Sequence, residues 1–135
     1  MDETTKPGAP AQRGAPAPQP ETIYHIALGG DWGRALEVGT YAGGAACRAD
    51  GFIHFSTRDQ VAGTLERFFA GQGGLVLLTA RVADLGDCLR WEEAPSGGVY
   101  PHCHGTLPAA RLRLLGPIVL GGDGRHIPPL PGARP

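Results

Sequence analysis

The apolar positions of this chain fall into short blocks separated by glycine, proline and charge, and the spacing within each block predicts its element. Thr22 to Leu28 carries Ile23, Tyr24 and Ile26 and reads as a strand ended by Gly29-Gly30. Trp32, Ala35 and Leu36 stand at i, i+3 and i+4. That spacing predicts a short helix with one apolar face, capped by Asp31 and stopped by Gly39. Tyr41 to Asp50 reads as a loop of small residues. A second strand over Phe52 to Phe55 leads into Thr57-Arg58-Asp59-Gln60, the pattern of a capping box. There the Thr hydroxyl and the Gln side chain each satisfy a free N–H at a helix start. The helix that follows places Val61, Leu65, Phe68 and Phe69 at helical spacing and closes at Gly71.

Leu75 to Val82 is almost continuously apolar, as expected of a central strand covered on both faces. Ala83-Asp84-Leu85-Gly86 is a turn. Leu89 to Glu92 and Leu112 to Leu115 alternate and read as strands, with a last one at Ile118-Val119-Leu120 after a break at Gly116-Pro117. Helices come early and strands late, and no repeat is visible. The expected class is α+β with mixed or antiparallel sheets, not a doubly wound parallel sheet.

Composition sets the limits of the folded unit. Residues 1–21 hold Pro7, Pro10, Pro16, Pro18 and Pro20 with no aromatic or branched aliphatic side chain, which predicts a disordered tail. It also lacks the apolar core of a secretory signal. One domain is expected over residues 22–127, followed by a flexible tail over 128–135. A net charge of −1 gives no bulk attraction to nucleic acid or to a membrane surface. The longest apolar run, Leu75 to Leu78, is too short to span a bilayer. Three cysteines, Cys47, Cys88 and Cys103, are an odd number at irregular spacing. They point to free thiols and a cytoplasmic location.

Candidate chemistry gathers on histidine. His25 reads either as a strand histidine bonded to a backbone carbonyl or as a ring nitrogen offered to a ribose hydroxyl. Alternation puts His54 and Ser56 on one strand face, leading to a helix start at Thr57 whose free N–H groups suit a phosphate. Ser56 and Thr57 could equally serve only as caps. His102 and His104 share a face if their segment is extended. With Cys47 or His54 they could build a zinc site, but no C-x-x-C or H-E-x-x-H pattern is present and no metal is expected. Cys103 between them reads as a small buried hydrophobe. Glu92, beside Glu93 at a strand end, can bond a ribose hydroxyl or stabilise an oxocarbenium-like centre, or it is a solvated edge. Arg67 can pair with a phosphate or lie on the helix surface.

Together, Ile23-Tyr24-His25, Trp32, Gly39-Thr40-Tyr41, Gly51 to Thr57, Gln60-Val61, Arg67-Phe68, Leu75 to Leu78, Leu89 to Glu92 and Pro101-His102 with Gly105-Thr106-Leu107 resemble the domain-of-unknown-function 952 family, a small bacterial family. Phe55 stands where that family usually has Cys, and His104 where it usually has Tyr. The family pattern is in turn similar to the ADP-ribosyltransferase fold, nearest its RNA 2′-phosphotransferase branch. The resemblance implies split β-sheets with two short helices around a pocket for NAD or an ADP-ribose-like nucleotide. It implies NAD-dependent ADP-ribosyl transfer to an unknown acceptor. His25 would position the ribose, and His54 and Ser56 the diphosphate or the nicotinamide-side ribose. Arg67 would neutralise phosphate, and Glu92 or His102 would stabilise or deprotonate the attacking group. The arginine-rich half that grips RNA in that branch has no counterpart here, which argues against nucleic acid as a partner. A non-catalytic nucleotide-binding module and a metal-binding structural domain are the alternatives.

Overall fold

The computed structural model describes residues 15–16 and 18–130. In chain order they form β1 (Thr22–Leu28), α1 (Gly29–Val38), β2 (Thr40–Tyr41), α2 (Ala45–Asp50) and β3 (Phe52–His54). Then follow α3 (Val61–Phe68), β4 (Leu75–Arg81), β5 (Leu89–Glu93), β6 (Val99–His104), β7 (Leu107–Pro108), β8 (Arg113–Pro117), β9 (Val119–Leu120) and β10 (His126–Ile127). The strands form two three-stranded sheets, β1-β4-β8 and β3-β6-β5, and two short two-stranded pairs, β2-β7 and β9-β10. Every pairing is antiparallel, so the class is α+β with split sheets. No helix among the described residues is long and apolar enough to cross a membrane.

The apolar run of β4 has a direct physical cause. Its strand is central, and core lies on both sides of the sheet. One face presents Ile23, Ala27, Leu78 and Ala80 to Trp32 and Ala35 of α1 and to the inner face of the second sheet. The other presents Ile26, Leu75 and Leu77 to Val61 and Leu65 of α3 and to Ile118. A side chain pointing either way from β4 therefore leaves water, which removes the polar half of the usual alternation.

Several expectations are corrected by packing. Helix α1 begins at Gly29, whose N–H donates to Gly74 O at 2.9 Å, so Asp31 lies inside the first turn rather than at the cap. A carboxylate there still meets the positive end of the helix dipole. Gly39 does close α1 in the left-handed conformation, with φ 92°. Leu36 is exposed, because β1 and β2 cover only the Trp32–Ala35 flank. The loop expected over Tyr41 to Asp50 instead holds the end of β2 and the whole of α2, a third helix. Phe68 is exposed while Phe69 packs on the core. Gly116-Pro117 does not break its strand, since β8 runs through both with a register shift opposite Leu77/Leu78. The capping box is present: Gln60 Oε1 accepts from Thr57 N–H at 3.0 Å, at the start of a 3-10 turn over Arg58–Gln60 that runs into α3.

Cys88 and Cys103 form a disulfide, so among the cysteines only Cys47 is a free thiol. Leu89 pairs with Cys103 across β5 and β6, which brings Cys88 beside it despite 15 residues of separation. At the chain ends, Ala15 packs on the core, Gln19 accepts from Trp91 Nε1–H at 3.3 Å, and Glu21 O accepts from Val82 N–H at 2.9 Å. Leu130 packs on the α3 side. The remaining tail expectations, over residues 1–14, 17 and 131–135, lie outside the described residues.

Gly43 sets the entry to α2. Its φ is 85°, and a Cβ there would stand 2.6 Å from Cys47 Sγ. Gly43→Ala is expected to cost about 2–3 kcal/mol in urea denaturation, from the left-handed backbone plus overpacking against a buried sulfur.

Candidate functional site

The outer face of the second sheet is built by register. His54 pairs with His102, Phe52 with His104, and Glu92 with Tyr100. Opposed residues in an antiparallel ladder share a face, and residues two apart on one strand share it too. These six side chains therefore stand together, while Ile53, Pro101, Cys103, Leu89 and Trp91 turn inward and are buried. His102 and His104 do share a face, as alternation predicts.

Glu92 is the hub of this face. Its Oε1 accepts from His102 Nδ1 at 2.7 Å and from His104 Nε2 at 2.9 Å. Burial alone would raise the Glu92 pKa, but the hydrogen bonds from His104 and His102 outweigh it and hold the carboxyl below its ordinary value. An ionised carboxylate accepts only, so both imidazoles donate to it. For His102 that fixes the tautomer and leaves Nε2 as the acceptor. Burial lowers the His102 pKa, against the raising influence of Glu92, so its ring is neutral at physiological pH. A second pair stands beside the first: His54 Nε2 lies 2.9 Å from Asp50 Oδ2. Phe52 stacks on His102 with ring centroids 4.1 Å apart and lies 4.6 Å from the His54 ring.

This face walls a cleft of about 990 Å³ whose other sides come from β1, α2, α3 and the 94–96 turn. That volume is at the upper end of the roughly 300–1,000 Å³ typical of small-molecule sites. His54, Ser56, Arg67, Phe68, Glu92 and His102 all line it. Arg67 donates to Ser96 Oγ at 2.9 Å and to Tyr100 Oη at 3.3 Å, which holds an exposed guanidinium at the rim.

Other candidates have different roles. His25 lines the cleft but is buried, with Nδ1 2.6 Å from the His54 carbonyl and Nε2 2.6 Å from Tyr41 Oη. A carbonyl only accepts, so Nδ1 carries the proton and Nε2 accepts from Tyr41. Burial holds the His25 pKa down at about 4 and pushes that of Tyr41 up. With both nitrogens committed, His25 has none to offer a ribose; it ties β1 to β2 and β3. Ser56 is buried and its hydroxyl bonds Thr64 Oγ1 at 3.0 Å. Thr57 does not line the cleft, and its N–H is taken by Gln60, so the expected phosphate seat at that helix start is corrected to a cap. Burial raises the Cys47 pKa, and its sulfur accepts from His54 N–H at 3.4 Å. Among the described residues no three His, Cys, Asp or Glu side chains stand as a metal-holding group.

Sequence reasoning missed Asp50, Phe52, Tyr41, Ser96 and Tyr100. Asp50 had a local signal, as a carboxylate four residues before His54 across a single turn at Gly51, and Phe52 and Tyr100 stand two residues before His54 and His102, the alternation that puts them on the same face.

Residues 26–113 match the family model described as "Protein of unknown function (DUF952)". The chain is also similar to protein CC0527 from Caulobacter crescentus. Its crystal structure is 35% identical, with a TM-score of 0.72, over 78% of this chain and 92% of that one. Its solution NMR structure is 35% identical, with a TM-score of 0.68, over 77% of this chain and 90% of that one. No curated protein matches.

Proposed function

Since the chain belongs to DUF952, a family of unknown function, we propose a function from its cleft: binding of an NAD- or ADP-ribose-like nucleotide and transfer of the ADP-ribosyl group to an acceptor. The observation that carries this reading is Glu92. Its carboxylate is held ionised on the cleft wall by two imidazoles on Oε1, while no described residue bonds Oε2.

The residues present fit such a nucleotide. Arg67 offers guanidinium donors to a diphosphate at the rim. Phe68, 67% exposed, offers a ring face to a base. When bound, NAD supplies an anomeric carbon whose bond to nicotinamide breaks with the electron pair leaving on the ring nitrogen. Glu92 Oε2 opposes the positive charge that develops there, an interaction stronger in the transition state than in the ground state. His102 Nε2 takes the proton from the acceptor as the acceptor atom bonds to that carbon. His54 and Asp50 form the other side of the same wall.

The test is calorimetric titration of the full chain with NAD and with ADP-ribose, alongside chromatographic assay of nicotinamide release. Binding with release supports the reading. Binding without release selects the non-catalytic module, and no binding to folded protein overturns both. Arg67→Ala is expected to weaken ADP-ribose binding by about 10- to 100-fold, the worth of a hydrogen bond to a charged group. Unchanged affinity would remove Arg67 from the site.

A further inference from the structure

At the opposite end of β1 from Leu28, a second cavity of about 310 Å³ opens beside Thr22. It is lined by three guanidinium-bearing side chains, Arg81, Arg111 and Arg113, against the single carboxylate of Asp84. Their placement follows from register. Thr22 pairs with Arg81 and Thr79 with Arg113, so both arginines share one face of the first sheet as diagonal neighbours across β4 and β8. Arg111 reaches the same cavity from the 3-10 turn before β8, where its guanidinium donates to the Asp84 backbone carbonyl. The Thr79 hydroxyl is spent on Ile23 O at 2.9 Å.

Among the described residues, no carboxylate pairs with any of the three arginines within ion-pair distance. Like charges at diagonal positions repel, and nothing in the chain's near-neutral total requires a basic cluster. An anion in the cavity would supply the missing charge. Three arginine side chains at one cavity offer more donors than the two oxygens of a single carboxylate can accept, and a phosphate group presents more acceptor oxygens.

We infer that this cavity is a second binding site, separate from the histidine-walled cleft, for a compact phosphate-bearing dianion. Its size fits a phosphate or diphosphate group with little attached. The site does not depend on the chemistry proposed for the cleft.

The test is an amide chemical-shift titration of the full chain with inorganic pyrophosphate at low ionic strength. Saturable shifts are expected at residues 79–84 and 110–113, weakening as salt is added. Arg81→Gln and Arg113→Gln, both at exposed positions, should each weaken binding at least about tenfold with an otherwise unchanged spectrum. Arg67→Ala should leave these shifts in place, which separates the two sites. Shifts confined to the cleft, or unaffected by the Arg81 and Arg113 variants, would overturn the assignment. Equal affinity for malonate would overturn the preference for phosphate.

Discussion

Glu92→Gln is expected to reduce nicotinamide release at saturating NAD by about 100- to 1,000-fold while leaving NAD affinity within about threefold. The substitution keeps an oxygen that can accept from His102 or His104, so the local geometry survives. It removes the negative charge, which in the proposed transfer is the component that opposes the positive charge on the anomeric carbon. The loss should therefore fall on kcat. Glu92→Asp keeps the charge but retracts it by one methylene, so its turnover should fall between the two. Full turnover in Glu92→Gln would end the assignment of Glu92 as the group that opposes the developing charge.

The largest effect on stability is expected from acid. His25 is held neutral, with its pKa at about 4 in the folded state against about 6.5 for an unperturbed imidazole. The unfolded chain therefore takes up the proton first as pH falls. The contribution of His25 is fully present above pH 6.5 and is lost as pH drops through the window down to about 4, by roughly 3 kcal/mol. His102, whose pKa is also lowered by burial, acts in the same direction. Urea midpoints measured from pH 7.5 down to 4 should fall accordingly. His25→Gln supplies a non-titrating amide that can donate to the His54 carbonyl and accept from Tyr41. It should flatten the profile by the His25 share. A wild-type midpoint that does not move between pH 6.5 and 4 would show that the imidazole is not buried as the bonds to Tyr41 and His54 require.

These two residues contrast in how they act. His25 is one of the chain's most conspicuous motif positions, yet its nitrogens are consumed in joining three strands. Its value to the cleft is indirect, because it fixes the His54 backbone and hence the wall that carries His54 and His102. Glu92 looks like one of two carboxylates at a strand end, and its importance comes from what faces it across β5 and β6.

What could be read locally was read from short-range chemistry. The Thr57–Gln60 capping box, the Gly39 stop, the unbroken apolar run of β4 and the shared face of His102 and His104 each depend on contacts within a few residues or on strand alternation. Other features depend on which strand lies beside which, and a change of one residue in register would reverse them. The β5–β6 register aims His102 and His104 at Glu92 and places Cys88 beside Cys103. The β3–β6 register sets His54 opposite His102. Tyr41 meets His25 only because β2 is anchored by β7, more than sixty residues along the chain. Helix α2 formed where small residues suggested a loop, because Cys47 is buried in the core and Gly43 leaves room for it. The local code thus specifies the elements and the faces of their side chains. Burial and strand register turn those faces into a wall with a carboxylate bonded by two imidazoles and a cleft in front of it.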